Sequence, residues 1–466
     1  ATDEQIANFF QFACPYLYEL DTVAYFGLIR NRHDAKAIAR IRDTTQVLFD
    51  LFRVGEHRYI HPLKAAERYG PTMFLPHLVR GDELVPIFHS AAAAEISASA
   101  RRRPFGSRAS SIAPWDTVYE RLLEYRGDEE KPEIAPLKQE FIRMLLGGPS
   151  RINELAERYL TLEDLFQIRE RMIGSGRIGG KATGMILARR ILLAEGKKFD
   201  YGAILEDHDS FYIGSDVFYS FLVNNDLFRL RWQLSKEGDV SQEAFAEVER
   251  RFLEGEFAPE IVEQFRNMLD YYGQAPIIVR SSSLLEDGFG NAFAGKYRSE
   301  FCANQGSPKE RLEEFARTVK LVFASALNPD ALSYRRKRNL IDKDEQMAIL
   351  VQRVSGSTYK RSFFPSVAGV AHSRNLFAWT DRIDPNQGLV RMVFGLGTRA
   401  VNRVGGDYPR MFAVSHPLLR PEFGRQILKY SQKRVDVVDL DANRFSTVAA
   451  SELLAGRDYP ALNRFA

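Results

Sequence analysis

The run Ile277-Ile278-Val279-Arg280-Ser281-Ser282-Ser283 leads into Glu286-Asp287-Gly288-Phe289-Gly290-Asn291-Ala292-Phe293-Ala294-Gly295. Its apolar start reads as a buried strand, and it delivers an arginine and three hydroxyls to a loop rich in small residues. A guanidinium at the end of such a strand needs an anionic partner once it loses water. That partner is either a phosphate, which the planar arginine fork fits, or an internal carboxylate, Glu286 or Asp287. The glycines at 288, 290 and 295 favour the first reading, because backbone N–H groups there approach an anion with no Cβ in the way. Roughly a hundred residues earlier stands Gly174-Ser175-Gly176-Arg177-Ile178-Gly179-Gly180-Lys181, ahead of a helix expected over 182–194. A glycine-rich loop entering a helix offers amide donors and a favourable dipole to an anion, and Lys181 adds a point charge. The bland alternative is a turn with a surface lysine. Together the two segments read as one triphosphate site, and they match neither a Walker P-loop nor a Rossmann fingerprint.

The rest of the composition excludes several classes. With 64 basic and 61 acidic residues in 466, the charge balance gives no reason to expect nucleic acid or an acidic membrane surface as a partner. The length predicts two to four domains. Cys14 and Cys302 are too few and too far apart for a disulfide framework or a cysteine zinc site. No stretch approaches 18 consecutive apolar residues, and the first residues lack a basic, then apolar, leader. A soluble, reduced, cytoplasmic chain is the expectation.

Along the chain, residues 1–90 read as a small α/β region. Helices are expected over 6–17 and 34–52, with strands at 58–60 and 84–88. Residues 91–114 carry four consecutive alanines, several serines and Arg101-Arg102-Arg103, and read as a linker. Residues 115–172 show helical periodicity, with a capping-box start at Thr161-Leu162-Glu163-Asp164. From 173 to 425 strands and helices alternate in an α/β (α+β) pattern: helices are expected over 242–253, 260–271 and 309–327, and strands over 277–279, 348–351, 367–370 and 389–394. Residues 426–466 read as a C-terminal extension.

Three further motifs bear on chemistry. Ala348-Ile349-Leu350-Val351-Gln352-Arg353-Val354 is either an ordinary core strand or a strand edge beside which Gln352 and free backbone groups hold an adenine. Asp381 and Asp384 lie between two glycine-containing strand ends, where carboxylates either hold Mg²⁺ or are simply solvated. His372 reads as a packed or hydrogen-bonded histidine. His57 and His61 have helical spacing in a segment that reads as strand, so they form no metal pair.

Taken in order, Gly179-Gly180-Lys181, Val279-Arg280-Ser281-Ser282 with Glu286-Asp287 and Phe293-Ala294-Gly295, Val351-Gln352-Arg353, Ala368-Gly369-Val370 and Gly395-Leu396-Gly397 resemble the ATP-binding domain of phosphoenolpyruvate synthase and pyruvate phosphate dikinase, across roughly 174–420. The resemblance implies an ATP-grasp-like fold of two lobes that clasp ATP and Mg²⁺. By the same resemblance Lys181 and Arg280 take the phosphates, the loop 286–295 covers them, and Gln352 lies by the adenine. It further implies transfer of a phosphoryl group to a histidine, with release of AMP and phosphate. The sequence departs from the family at Thr398, where a glutamate is usual, and at Asn386-Gln387-Gly388, where an acidic residue is expected. Asp381, Asp384 or Gln387 would then serve the metal. No phosphohistidine motif occurs, so the acceptor is expected on another domain or partner, in cis or in trans. The alternatives are a nucleotide-sensing module without turnover, which Thr398 favours, and a phosphotransferase with another acceptor, a glucan or a small molecule. Residues 1–90 also resemble the later half of a RecA/KaiC-type ATPase domain through Cys14-Pro15-Tyr16-Leu17-Tyr18-Glu19-Leu20 and Thr44-Thr45-Gln46, without a Walker A motif. On that likeness the chain begins inside a domain. Oligomeric state is not legible.

Overall fold

The computed structural model describes residues 3–20, 22–29, 33, 37, 41, 44–65, 76–87, 96, 114–123, 125–126, 131–147, 150–196, 199–236, 240–286, 295–340, 345–401, 405–455 and 459. A helix Asp3–Glu19 comes first, then a meander of four antiparallel strands: β1 (Val47–Val54), β2 (His57–Ala65), β3 (His77–Arg80) and β4 (Glu83–Pro86). The helix expected over 34–52 is thus overruled from residue 47 onward. Side chains of β1 alternate in burial, the period of a pleated strand, and Gly55 at φ 57° turns the chain straight back into β2. The linker expected over 91–114 lies outside the described residues apart from its Ile96 and Pro114.

The central unit is a five-stranded sheet in the order β5 (Met172–Ile173), β6 (Ser210–Ile213), β9 (Met347–Arg353), β7 (Ile277–Ser283), β8 (Ser299–Cys302). Only β5 and β6 run parallel. Helices cover both faces. On one, Phe211, Ile277, Val279, Ile349 and Val351 pack against residues of helices Ser215–Asn224, Gln242–Glu254, Pro259–Tyr272 and Pro308–Ala324. On the other, Tyr212 and Leu350 join Phe141, Leu165, Phe166, Ala182 and Ile186 from helices Ile134–Leu145, Leu162–Glu170 and Gly179–Glu195. The helical segment 115–172 therefore shares a core with the sheet and is not a unit apart. Its last helix starts as the sequence says, with a capping box between Thr161 and Asp164.

A second lobe follows, built from the sheet β10 (Ser357–Tyr359), β11 (Ser362–Phe364), β15 (Arg434–Asp439), β16 (Arg444–Ala449) and the sheet β12 (Ala368–His372), β13 (Leu389–Val393), β14 (Arg410–Ala413). Because β15 and β16 complete the first of these sheets, the lobe runs past residue 425, where the sequence places its end. The two lobes meet in a small apolar seam of Ala303, Val354, Phe363, Leu396 and Val438, flanked by Ile278, Phe301 and Leu440. The chain is an α/β protein with a two-lobe nucleotide-domain architecture, and no described helix is long and apolar enough to cross a membrane.

At the edge of the central sheet, Asp209 accepts from Arg353 Nε at 2.7 Å, Arg171 Nη1 at 2.5 Å and the Tyr271 hydroxyl at 2.8 Å. Burial pushes the Asp209 carboxyl up, but Arg353 and Arg171 outweigh it and hold it below the ordinary carboxylate range. Replacing Asp209 by alanine leaves two guanidinium groups buried without their anion, and should cost about 3–5 kcal/mol. Urea denaturation of D209A against wild type measures this, and D209N, which keeps the shape, should fall between the two.

Candidate functional site

Strand β7 organises the site, because successive side chains point to opposite faces. Ile278 meets the seam between the lobes, Arg280 comes next on that face, and Ser282 meets the start of helix Gly179–Glu195. There the Ser282 hydroxyl donates to the Ile178 carbonyl at 2.8 Å and accepts from the Ala182 amide at 3.0 Å. Gly179 has φ 80°, and a Cβ on it would overlap the Ser282 carbonyl; a Cβ on Gly180 would overlap the carbonyl of Glu286. The two glycines are thus required for helix and strand to touch backbone to backbone.

The contact delivers Lys181 to the end of β7. Its ammonium donates to the Ser281 carbonyl at 2.8 Å, to the Ser281 hydroxyl at 3.3 Å and to Glu286 Oε1 at 2.9 Å. Glu286, one of the two carboxylates considered for Arg280, is thus paired with Lys181. Arg280 donates from Nη1 to Gln352 Oε1 at 3.2 Å, and the Gln352 amide donates on to the Ser210 hydroxyl and to Met185 Sδ, each at 3.2 Å. Lys181, Arg280, Ser281, Ser282, Glu286 and Gln352 are brought together by one sheet and one helix start. Asp287 lies outside the described residues, and Gly295 is exposed at φ 71°.

Three expectations change in detail. β9 lies between β6 and β7, so its backbone is paired on both sides and provides no edge for an adenine, and Gln352 meets Arg280 through its side chain. The three hydroxyls are fully buried, with Ser283 bonded to Glu345, which also accepts from the Tyr297 hydroxyl at 2.5 Å. They hold the strand in place. In the glycine loop, the amides of Ser175 and Gly176 donate to the Asp216 carboxylate at 3.0 and 2.6 Å, so a side chain already fills that part of the anion cradle.

The second lobe carries the metal candidates. Asp384 caps a short 3₁₀ turn, accepting from the Asn386 amide at 2.9 Å and from Gln387 Nε2 at 3.3 Å. Asp384 and Gln387 do come together, yet every hydrogen bond they make is local to residues 384–387 and Ser415. Among the described residues no three His, Cys, Asp or Glu side chains form a metal cluster. His372 is exposed at the end of β12, so of the two readings, packed or hydrogen-bonded, the first does not hold. Thr398 donates to Asp436 Oδ2 at 2.6 Å, and Arg399 bridges Asp436 and Asp407 at 2.9 and 2.5 Å. A buried carboxylate from β15 thus stands beside the threonine. Asp216 and Asp436 went unread in the sequence; the one signal for Asp436 was an acid inside the apolar run Val435-Asp436-Val437-Val438.

Residues 175–453, well over half the chain, match the family described as pyruvate phosphate dikinase, AMP/ATP-binding domain. The chain belongs to that family. It is also similar to the uncharacterized phosphotransferase YvkC of Bacillus subtilis (strain 168), at 28% identity over 211 residues, 44% of this chain and 21% of that relative. The chain spans about a fifth of the length of the relative it matches.

Two outcomes follow from the geometry. Gly179→Ala adds a Cβ against the Ser282 carbonyl at a positive φ and should destabilise by at least about 3 kcal/mol, read by thermal or urea unfolding. His208, bonded to the Ser210 hydroxyl at 3.1 Å, is pushed down to about 4, first by burial and then by Arg189 and Arg171. The native state leaves it neutral while the unfolded chain protonates near 6.5, so its contribution is full above that pH and is lost as the pH falls from about 6.5 to about 4. Between pH 7 and 5 wild type should lose about 2 kcal/mol more than H208Q, in urea titrations of both proteins at the two pH values.

Proposed function

We propose that the chain is the ATP-binding module of a phosphotransferase, moving a phosphoryl group from Mg-ATP to a histidine on another domain or partner, in cis or in trans. The family match supports the nucleotide, and the YvkC likeness supports the reaction class. The observation that carries the reading is the convergence of Lys181, Arg280 and Gln352 at the end of β7, beside the seam between the lobes. Lys181 and Arg280 would neutralise the triphosphate, and catalysis of such transfers is mostly positioning and charge neutralisation. For Lys181 to reach a phosphate, its ammonium must exchange at least one of its three protein acceptors for an oxygen of the nucleotide. Magnesium commonly binds through one or two carboxylates together with substrate phosphates; Asp384, with Gln387 beside it, is the protein donor pair for such an ion. Its supply would be charge neutralisation on the phosphates.

Thr398 supports a second reading, a nucleotide sensor without turnover, because the carboxylate beside it comes from Asp436 and is tied to Arg399. Melting curves with and without Mg-ATP test the shared premise. Ligand at about 100 times its Kd adds about 2.7 kcal/mol of stability, and this shift should vanish in K181A and R280A. No shift at millimolar Mg-ATP in wild type would sink both readings. Given a shift, AMP formed with a supplied phosphoacceptor marks the enzyme, and binding with no AMP marks the sensor.

A further inference from the structure

Helix Asp3–Glu19 buries one stripe and exposes another that is just as apolar. Ala7 and Phe10 are within 4% of full burial, while Phe9, Phe12, Tyr16 and Leu20 are 53%, 77%, 62% and 55% exposed. Spacings of three and four residues put these four on one side, and the exposed strip continues through Val23 and Tyr25. Residues 1–29 contain four acidic residues, Asp3, Glu4, Glu19 and Asp21, and no basic one.

A surface of opposite character lies on the second lobe. Over residues 416–434, Leu418, Phe423 and Leu428 are 92%, 69% and 77% exposed. That stretch holds five basic residues, Arg420, Arg425, Lys429, Lys433 and Arg434, against Glu422 alone. All of these basic side chains but Arg420 are exposed. Large apolar side chains in contiguous exposed patches mark interaction surfaces. By sequence the strip 9–25 carries Glu19 and Asp21 and no basic residue, with Glu19 exposed, whereas the second surface carries five bases against one acid, which favours their pairing over pairing of either with itself.

We propose that the acidic apolar strip of residues 9–25 docks on the basic apolar surface of residues 416–434 in a second copy of this chain. The contact is heterologous, joining two different patches, so it closes into a ring or a reciprocal pair or extends further. It needs no nucleotide and stands whether or not the phosphotransfer reading holds.

Sedimentation velocity on the 466-residue chain across about 1–100 µM, at low salt and in about 1 M NaCl, tests this. Concentration-dependent association that weakens in salt is expected. The double variant R425E/K429E should weaken it about tenfold or more, and E19K/D21K combined with it should restore it. F12S/Y16S and L418S/L428S should each abolish larger species when alone, while a mixture of the two recovers one interface; circular dichroism checks that each is folded. A chain that stays monomeric throughout overturns the proposal. So does association that R425E/K429E leaves untouched, or that only the strip variants disturb, since the strip would then pair with itself.

Discussion

Everything near the candidate site depends on one junction, the ammonium of Lys181 set between the Ser281 carbonyl and the Glu286 carboxylate. It ties the start of a helix to the end of a strand a hundred residues later. Two glycines bring the backbones into contact, and the Ser282 hydroxyl locks the register by bonding on both sides of the junction. Glu286 is almost fully buried, and so is Glu345 just behind it, which accepts from Ser283 and Tyr297. A buried carboxylate needs a cation or hydrogen-bond donors, and this pair finds both within β7 and its neighbours. The position of Arg280 follows, since it stands on the strand that the junction fixes.

Much of this was legible. Residues 277–283 announce a strand by composition, Thr161 and Asp164 announce a helix start by spacing, and the order of short motifs carries the family. What the sequence concealed is how partners are shared out. Nothing local marks Lys181, a hundred residues earlier, as a partner of Glu286, because that pairing is made by the helix packing across the sheet. The amides of the glycine loop read as an open cradle until Asp216, forty residues on, is seen to fill part of it. Residues 47–52 looked helical because an apolar run fits two periods, and the hairpin turn at Gly55 decided for the strand.

In the second lobe, Thr398 and its neighbours are tied to one buried carboxylate of β15. Thr398 and Arg399 both bind Asp436, and Arg399 also binds Asp407. The Gly395 turn packs on β15 so closely that a Cβ there would meet Val435. Substitutions at Gly395, Thr398 or Arg399 are therefore coupled to β15, and their effects on stability will not add independently with changes at Val435 or Asp436.

The place of β9 has a further consequence for how the chain comes to be folded. This strand is made after β5, β6, β7 and β8, yet it lies in the middle of their sheet. During synthesis, β6 can pair with β5 and β7 with β8, but each must wait for β9 to find its second neighbour, and until then each carries one unpaired backbone edge of the kind that recruits other chains. Arg353, the last residue of β9, closes the sheet by reaching Asp209 beside β6. The first lobe thus cannot be completed piecemeal from its N-terminus, and a nascent chain stalled before that strand would be the form most exposed to aggregation or to chaperone capture.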